Sequence, residues 1–347
     1  MNRRELSVGD YFAGVRSGNM GLLARALTLI ESSSPRHQSL AEELLTRLLP
    51  HTGGAIRVGI TGAPGSGKST FIDALGLDLV QRGRRVAVLA VDPSSGVSGG
   101  SILGDKTRMS ALAAEPAAFI RPSPAAGTLG GVARKTRESM LVCEAAGYDV
   151  VLIETVGVGQ SETMVADITD CFLALMLPGA GDELQGIKRG LLELVDVIAV
   201  NKADGPTRTA AELAAHQYTT ALKSIVGHDR ELPGVLTCSA LERQGLDAVW
   251  ETIERRYFVA KSSGELATRR QRQSLRWLWA IVEDRLRHSV RTHPGVAAIR
   301  EQLEAGVLAG TTPPEAAARQ ILQAFGMPSS LSLDGRGPAG REPVERG

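Results

Sequence analysis

The chain has 347 residues, enough for one large core with additions, because single domains usually run to roughly 100 to 200 residues. With 43% hydrophobic and 22% charged residues it has an ordinary globular composition, which excludes general disorder. Lysine plus arginine number 39 against 38 acids, which argues against nucleic acid as a ligand.

The start, Met1 to Asp10, is too polar for a secretion signal, and no apolar run approaches the roughly 18 residues that span a bilayer, so a cytoplasmic protein without membrane contact is expected. Residues 1–54 form a helical preface. Leu22, Leu23, Ala26, Leu27 and Ile30 fall at helical spacing, and Leu40, Leu44, Leu45 and Leu48 follow the break at Ser32-Ser33-Ser34-Pro35.

From Arg57 the pattern changes to short apolar runs alternating with helical stretches. Strands are predicted at Val58–Thr61, Val86–Val91, Ala118–Arg121, Val150–Ile153, Phe172–Leu177, Val197–Val200 and Val235–Thr237. Helices fit between them at Lys68–Gln81, Asp105–Ala114, Val132–Ala146, Ser161–Ile168, Ala210–Ile225 and Leu246–Tyr257. Runs such as Val150-Val151-Leu152-Ile153 are apolar on both faces, which a strand tolerates when helices cover both sides of its sheet. The expected class is α/β, a doubly wound and mostly parallel sheet over residues 55–260 with helical extensions at both ends.

After Lys261 the chain turns helical again, with Leu275, Leu278, Ile281, Val282 and Leu286 on one stripe and Trp277 and Trp279 beside it. Residues 261–327 are thus expected to be a helical arm, docked on its own domain or used for dimerisation. Residues 328–347, rich in Gly, Pro, Ser and charge, are expected to be a disordered tail. Cys143, Cys171 and Cys238 each lie inside apolar patterns and are expected to be buried thiols, while the six histidines form no metal-ligand spacing.

The chemistry concentrates in loops that follow strands. Gly62-Ala63-Pro64-Gly65-Ser66-Gly67-Lys68-Ser69 matches the Walker A pattern, follows a predicted strand and opens a predicted helix, the context this motif requires. Its glycines let successive N–H groups converge on phosphate oxygens at a helix N-terminus. Lys68 is expected to bridge the β- and γ-phosphates, and Ser69 to ligate Mg²⁺, with Thr70 next to it in the nucleotide-binding loop.

Asn201-Lys202-Ala203-Asp204 stands directly after the run ending at Val200, where parallel sheets deliver ligand loops. A carboxylate at Asp204 accepts from guanine N1–H and N2–H₂, whereas adenine offers it no such donors. Asn201 would hold the loop and base edge, and the Lys202 stem would lie along the ring. Ser239-Ala240-Leu241 would turn backbone N–H groups toward guanine O6. Together these loops predict GTP and GDP as substrate and product.

Asp92, Asp105 and Glu154 are the acids expected near Ser69, since Mg²⁺ takes an octahedral oxygen shell with few protein ligands. A helix cap remains open for Asp105 and a Pro93 turn for Asp92. Glu154-Thr155-Val156-Gly157 stands where many GTPases have Asp-x-x-Gly, with the Gly157 N–H available to the γ-phosphate; Gln160 is a candidate for positioning water. Lys68, Asp105, Glu154 and Gly157 form the expected catalytic set.

Taken together, Val91-Asp92-Pro93-Ser94-Ser95, Gly99–Met109, Gly127–Glu138, Glu154–Glu162 and Pro178–Lys188 make the chain resemble the methylmalonyl-CoA mutase-associated GTPases, a family also labelled arginine/ornithine transport kinases. The resemblance implies a homodimeric GTPase that binds an adenosylcobalamin-dependent acyl-CoA mutase, gates cofactor loading and protects or reactivates the enzyme, with a cobalamin adenosyltransferase as a further candidate partner. It also implies nucleotide-responsive segments near Asp92–Arg108, Glu154–Ala166 and Leu177–Lys188. No arginine finger is evident in the motifs, so slow, partner-stimulated turnover is expected, with Lys188 or Arg108 as groups a docked partner draws in. Two rival readings are a phosphotransferase for basic amino-acid transport, which ATP preference would favour, and a metal-insertion GTPase, which the missing Cys and His clusters disfavour.

Overall fold

A computed structural model of the chain describes residues 6–32, 34–92, 108–124, 129–155, 161–179, 189–225 and 231–328. Its contacts separate into two compact units, Met1–Arg276 and Trp277–Gly347.

In the first unit, α1 (Val8–Arg16) opens on a capping box: the Ser7 hydroxyl accepts from Asp10 N at 3.1 Å while the Asp10 carboxylate accepts from Ser7 N at 2.8 Å. Asn19 caps α2 (Met20–Glu31) by accepting from Leu22 N, and Pro35 opens α3 (Pro35–Leu48), where its missing N–H costs nothing. Gly14 lets α1 meet α2 closely; a Cβ there would lie 2.3 Å from Leu22 Cδ1. Leu23, Leu27, Leu44 and Leu48 are fully buried, so the preface is part of the core rather than an appendage.

The strands are β1 (Ile56–Thr61), β2 (Val86–Asp92), β3 (Ala118–Pro124), β4 (Val150–Thr155), β5 (Cys171–Met176), β6 (Val197–Val200) and β7 (Gly234–Thr237). They form one seven-stranded sheet among the described residues, in the order β3-β2-β4-β1-β5-β6-β7, and every neighbouring pair is parallel. The alternating helices are α4 (Lys68–Gln81), α5 (Ser110–Ala113), α6 (Leu129–Ala145), α7 (Ser161–Ala166), α8 (Arg189–Leu194), α9 (Arg208–Ile225) and α10 (Leu246–Ser262), followed by α11 (Glu265–Thr292), whose first turns belong to this unit. Burial on both faces explains the continuous apolar strands: Val58 and Ile60 of β1 pack with Phe71, Ile72 and Leu75, while Val151 and Ile153 of β4 join the opposite cluster. Gly59 faces α7, where a side chain would come within 2.7 Å of Val165 and Phe172. β1 therefore admits α7 at a distance only glycine permits.

At the amino ends of the strands, an ion-pair group binds α11 to this unit. Arg57 donates to Glu144 at 2.7 and 3.0 Å, both side chains almost wholly buried. Arg270 donates to Asp170 and to the carbonyls of Gly53 and Ala55, and Gln273 donates to Thr169 O. These contacts satisfy charges that burial would otherwise penalise by several kcal/mol, about 3–5 when one partner is removed.

In the second unit, α11 continues into α12 (Pro294–Leu308) and α13 (Pro314–Ala324), which pack on each other around an apolar groove of about 490 Å³ lined by Leu303, Val307, Ala317 and Ile321. No helix among the described residues is long and apolar enough to cross a membrane. The expected tail lies outside the described residues from position 329 onward.

Candidate nucleotide site

The sheet order places the carboxyl end of β1 between those of β4 and β5, and the glycine-rich loop leaves β1 there. Gly62, Gly65 and Gly67 hold φ angles of 151°, 82° and 87°. At Gly62 a Cβ would lie 2.3 Å from Leu175 O, and at Gly67 2.7 Å from Asn201 Nδ2, so neither position tolerates a side chain. Gly67 precedes α4 without a side-chain cap, which leaves the first N–H groups of that helix to face a ligand.

Lys68 is buried and donates to Gly62 O at 2.7 Å and Ala63 O at 3.3 Å, folding back over its own loop. Burial lowers its pKa below the ordinary lysine value; the carboxylates of Glu154 and Glu162 act in the opposite direction. Ser69 Oγ donates to Glu154 Oε1 at 2.9 Å, and Thr70 is exposed in the same turn. A hydroxyl and a carboxylate side by side are the hard oxygen donors Mg²⁺ takes, so the residues present fit that ion. Asp92 closes β2, and the register that pairs Ala90 with Glu154 puts Asp92 and Glu154 at the carboxyl ends of neighbouring strands. Asp105, Gly157, Gln160 and Lys188 lie outside the described residues, as do most of the three segments named above as nucleotide-responsive.

The second loop meets the first through Asn201. Its Nδ2 donates to Ser66 O at 2.8 Å, and its Oδ1 accepts from Ala240 N at 3.0 Å and Cys238 Sγ at 3.7 Å. Asn201 is thus a brace joining three loops, and its oxygen serves the protein rather than pointing to a base. Asp204 accepts from Ser239 Oγ, which in turn accepts from Glu242 N at 3.0 Å, and backbone hydrogen bonds between Ser239 and Gln244 close that turn. Lys202 is exposed with φ at 61°, a left-handed conformation seldom held by a non-glycine residue, and Leu241 is 80% exposed beside the turn. Ala240 is buried, its N–H already committed to Asn201.

Sequence patterns did not single out three residues that the fold brings to the same place. Thr155 Oγ1 donates to Thr61 Oγ1 at 3.0 Å, and Thr61 Oγ1 donates to Glu162 Oε1 at 3.1 Å. Their one signal was position, since Thr61 precedes the P-loop and the other two lie within the Glu154–Glu162 string.

A parallel sheet that presents a glycine-rich phosphate loop on its central strand, with an Asn-Lys-x-Asp loop braced against it, defines a P-loop GTPase. The match is also specific: the model of the family described as methylmalonyl-CoA mutase-associated GTPase MeaB aligns with residues 23–295, and the chain belongs to that family. A Caulobacter vibrioides relative is 57% identical over 312 residues, covering 90% of this chain and 95% of its own. The Escherichia coli GTPase ArgK is 47% identical over 318 residues, covering 91% and 96%. A crystal structure titled LAO/AO transport system kinase superposes with a TM-score of 0.74 at 40% identity, over 93% of this chain and 99% of the other.

Proposed function

We propose that this GTPase hydrolyses GTP with Mg²⁺ and uses the change of nucleotide state to serve an adenosylcobalamin-dependent acyl-CoA mutase, gating cofactor loading and protecting or reactivating that enzyme. The observation that carries the nucleotide part is the pairing of Asp204 with Ser239 in a turn held to the phosphate loop by Asn201. Asp204 then meets guanine N1–H and N2–H₂, while Lys202 and Leu241 flank the base. The family assignment carries the mutase part.

In this reading Gly62 to Thr70 wrap the phosphates with backbone N–H groups, and Lys68 leaves the Gly62 and Ala63 carbonyls for the β- and γ-phosphate oxygens. Ser69, Asp92, Asp105 and Glu154 would hold Mg²⁺, directly or through water; the ion when bound neutralises charge on the phosphates. Gly157 would read the γ-phosphate through its N–H. Lys68 and the loop amides stabilise charge on the transferred phosphoryl group while water attacks in line, slowly until a partner supplies a further cation.

A homodimer also belongs to this reading. Leu278, Trp279 and Leu286 of α11 are more than half exposed and recur at helical spacing, a seam for a second copy. Residues 1–54, 55–260 and 261–327 would then act as extension, GTPase domain and dimerisation arm.

Calorimetry with GTP, GDP and ATP tests the nucleotide reading, and equal uptake of ATP would end it. ATP preference would instead favour the phosphotransferase reading, in keeping with the name of the similar LAO/AO transport system kinase. Capture of a cobalamin-dependent mutase by the tagged chain in a nucleotide-dependent manner tests the partner.

A further inference from the structure

Thr155, Thr61 and Glu162 form a hydrogen-bonded chain at the residue where the phosphate loop leaves β1. Glu162 lies on α7, accepts from Thr61, and Thr61 is fixed in turn by Thr155. Thr61 and Thr155 are wholly or almost wholly buried, so this chain of hydroxyls holds the carboxylate in one place. The next residue after Thr61 is Gly62, whose carbonyl accepts the Lys68 ammonium at 2.7 Å. Glu162 and Lys68 therefore converge on the same corner of the loop.

Resting on the GTPase reading above, we propose that Glu162 is a positioning residue: its charge holds Lys68 against the Thr61–Gly62 corner and opposes the nucleotide phosphates, which weakens their binding and speeds their release. The negative charge of Glu162 acts on Lys68 alongside that of Glu154. The two acids differ in what they touch. Glu154 accepts from Ser69 and belongs to the oxygen set that fits Mg²⁺, so a bound cation would offset its charge. Glu162 is turned to a threonine hydroxyl rather than to the Ser69 oxygen set, so the ion that offsets Glu154 would leave its charge in place. α7 packs closely on Gly59 of β1, where even a methyl group has no room, which brings Glu162 near the strand that ends in Thr61.

The test compares Glu162→Gln with the unmutated chain by calorimetry, using GDP and guanosine in EDTA, and by release of a fluorescent GDP. Glutamine keeps an acceptor for Thr61 and removes only the charge. The expected result is GDP binding about five- to tenfold tighter, with release slower by a similar factor and the gap narrowing at high salt, as a screened charge–charge term requires. Guanosine affinity, which lacks the phosphates, stays the same. Unchanged or weaker GDP binding by the variant would overturn the proposal, and so would an equal shift for guanosine and GDP, the mark of a distorted site. Failure of the unmutated chain to bind GDP would instead overturn the GTPase reading, and this inference with it.

Discussion

Asn201 Nδ2 donates to the carbonyl of Ser66 at 2.8 Å, joining the loop after β6 to the loop after β1 across 135 residues of chain. The contact is buried, and the other end of the same amide accepts from Ala240, so one side chain sets the spacing between the loops that follow β1, β6 and β7.

Asn201→Ala removes both ends of that brace. The free variant relaxes to let water reach Ser66 O and Ala240 N, and bringing the loops back together on binding costs about 1–3 kcal/mol, so the Kd for GDP is expected to rise by roughly five- to a hundredfold. Calorimetry on the variant checks this, and affinity within twofold of the parent would remove the brace from the account.

Asp204→Asn exchanges an acceptor for an amide, which pairs with the 2-oxo group of xanthine but not with the 2-amino group of guanine. Guanine nucleotide binding should fall by about a hundredfold, and xanthosine diphosphate should become the better ligand. Competition between the two diphosphates reads the switch directly.

Glu144 accepts from Arg57 and from Gly53 N at 2.6 Å in an almost fully buried position. Glu144→Ala strands the guanidinium, and the variant is expected to lose about 3–5 kcal/mol of stability in urea unfolding. A loss below 1 kcal/mol would show that Arg57 finds another partner.

All three cysteines are free and buried, and burial pushes the Cys143 and Cys238 thiols up to about 12 and Cys171 well above the usual range. At pH 8 the folded protein should therefore leave Ellman's reagent unreacted, and three thiols should titrate once it is denatured. The folded state keeps the proton above the ordinary thiol pKa of 9.0, so this contribution is complete below that pH and declines as pH rises from there toward 12. Urea midpoints measured across that window should fall more steeply than those of a triple Cys→Ala variant.

Much of the site was legible because its signals are local. The P-loop needs glycines at fixed offsets between a strand and a helix, and Val58–Ser69 carries all of them in one stretch. Apolar runs such as Val150–Ile153 mark strands buried on both faces by their composition alone. Boundaries were less legible: α6 was expected from Val132, but begins at Leu129 and takes Gly130 and Gly131 into its first turn. Two glycines read as a loop, yet the apolar residues that follow bury the helix regardless.

Tertiary structure alone decided which loops meet. No local pattern says that β4 inserts between β2 and β1, and that insertion carries Thr155 to Thr61, 94 residues away in sequence, and sets Glu154 beside Ser69. It likewise gave Glu162 its partner 101 residues upstream. Periodicity and motif spacing record what each segment needs from its immediate neighbours, whereas these hydrogen bonds depend on sheet order, which emerges only when all the apolar faces are buried at once.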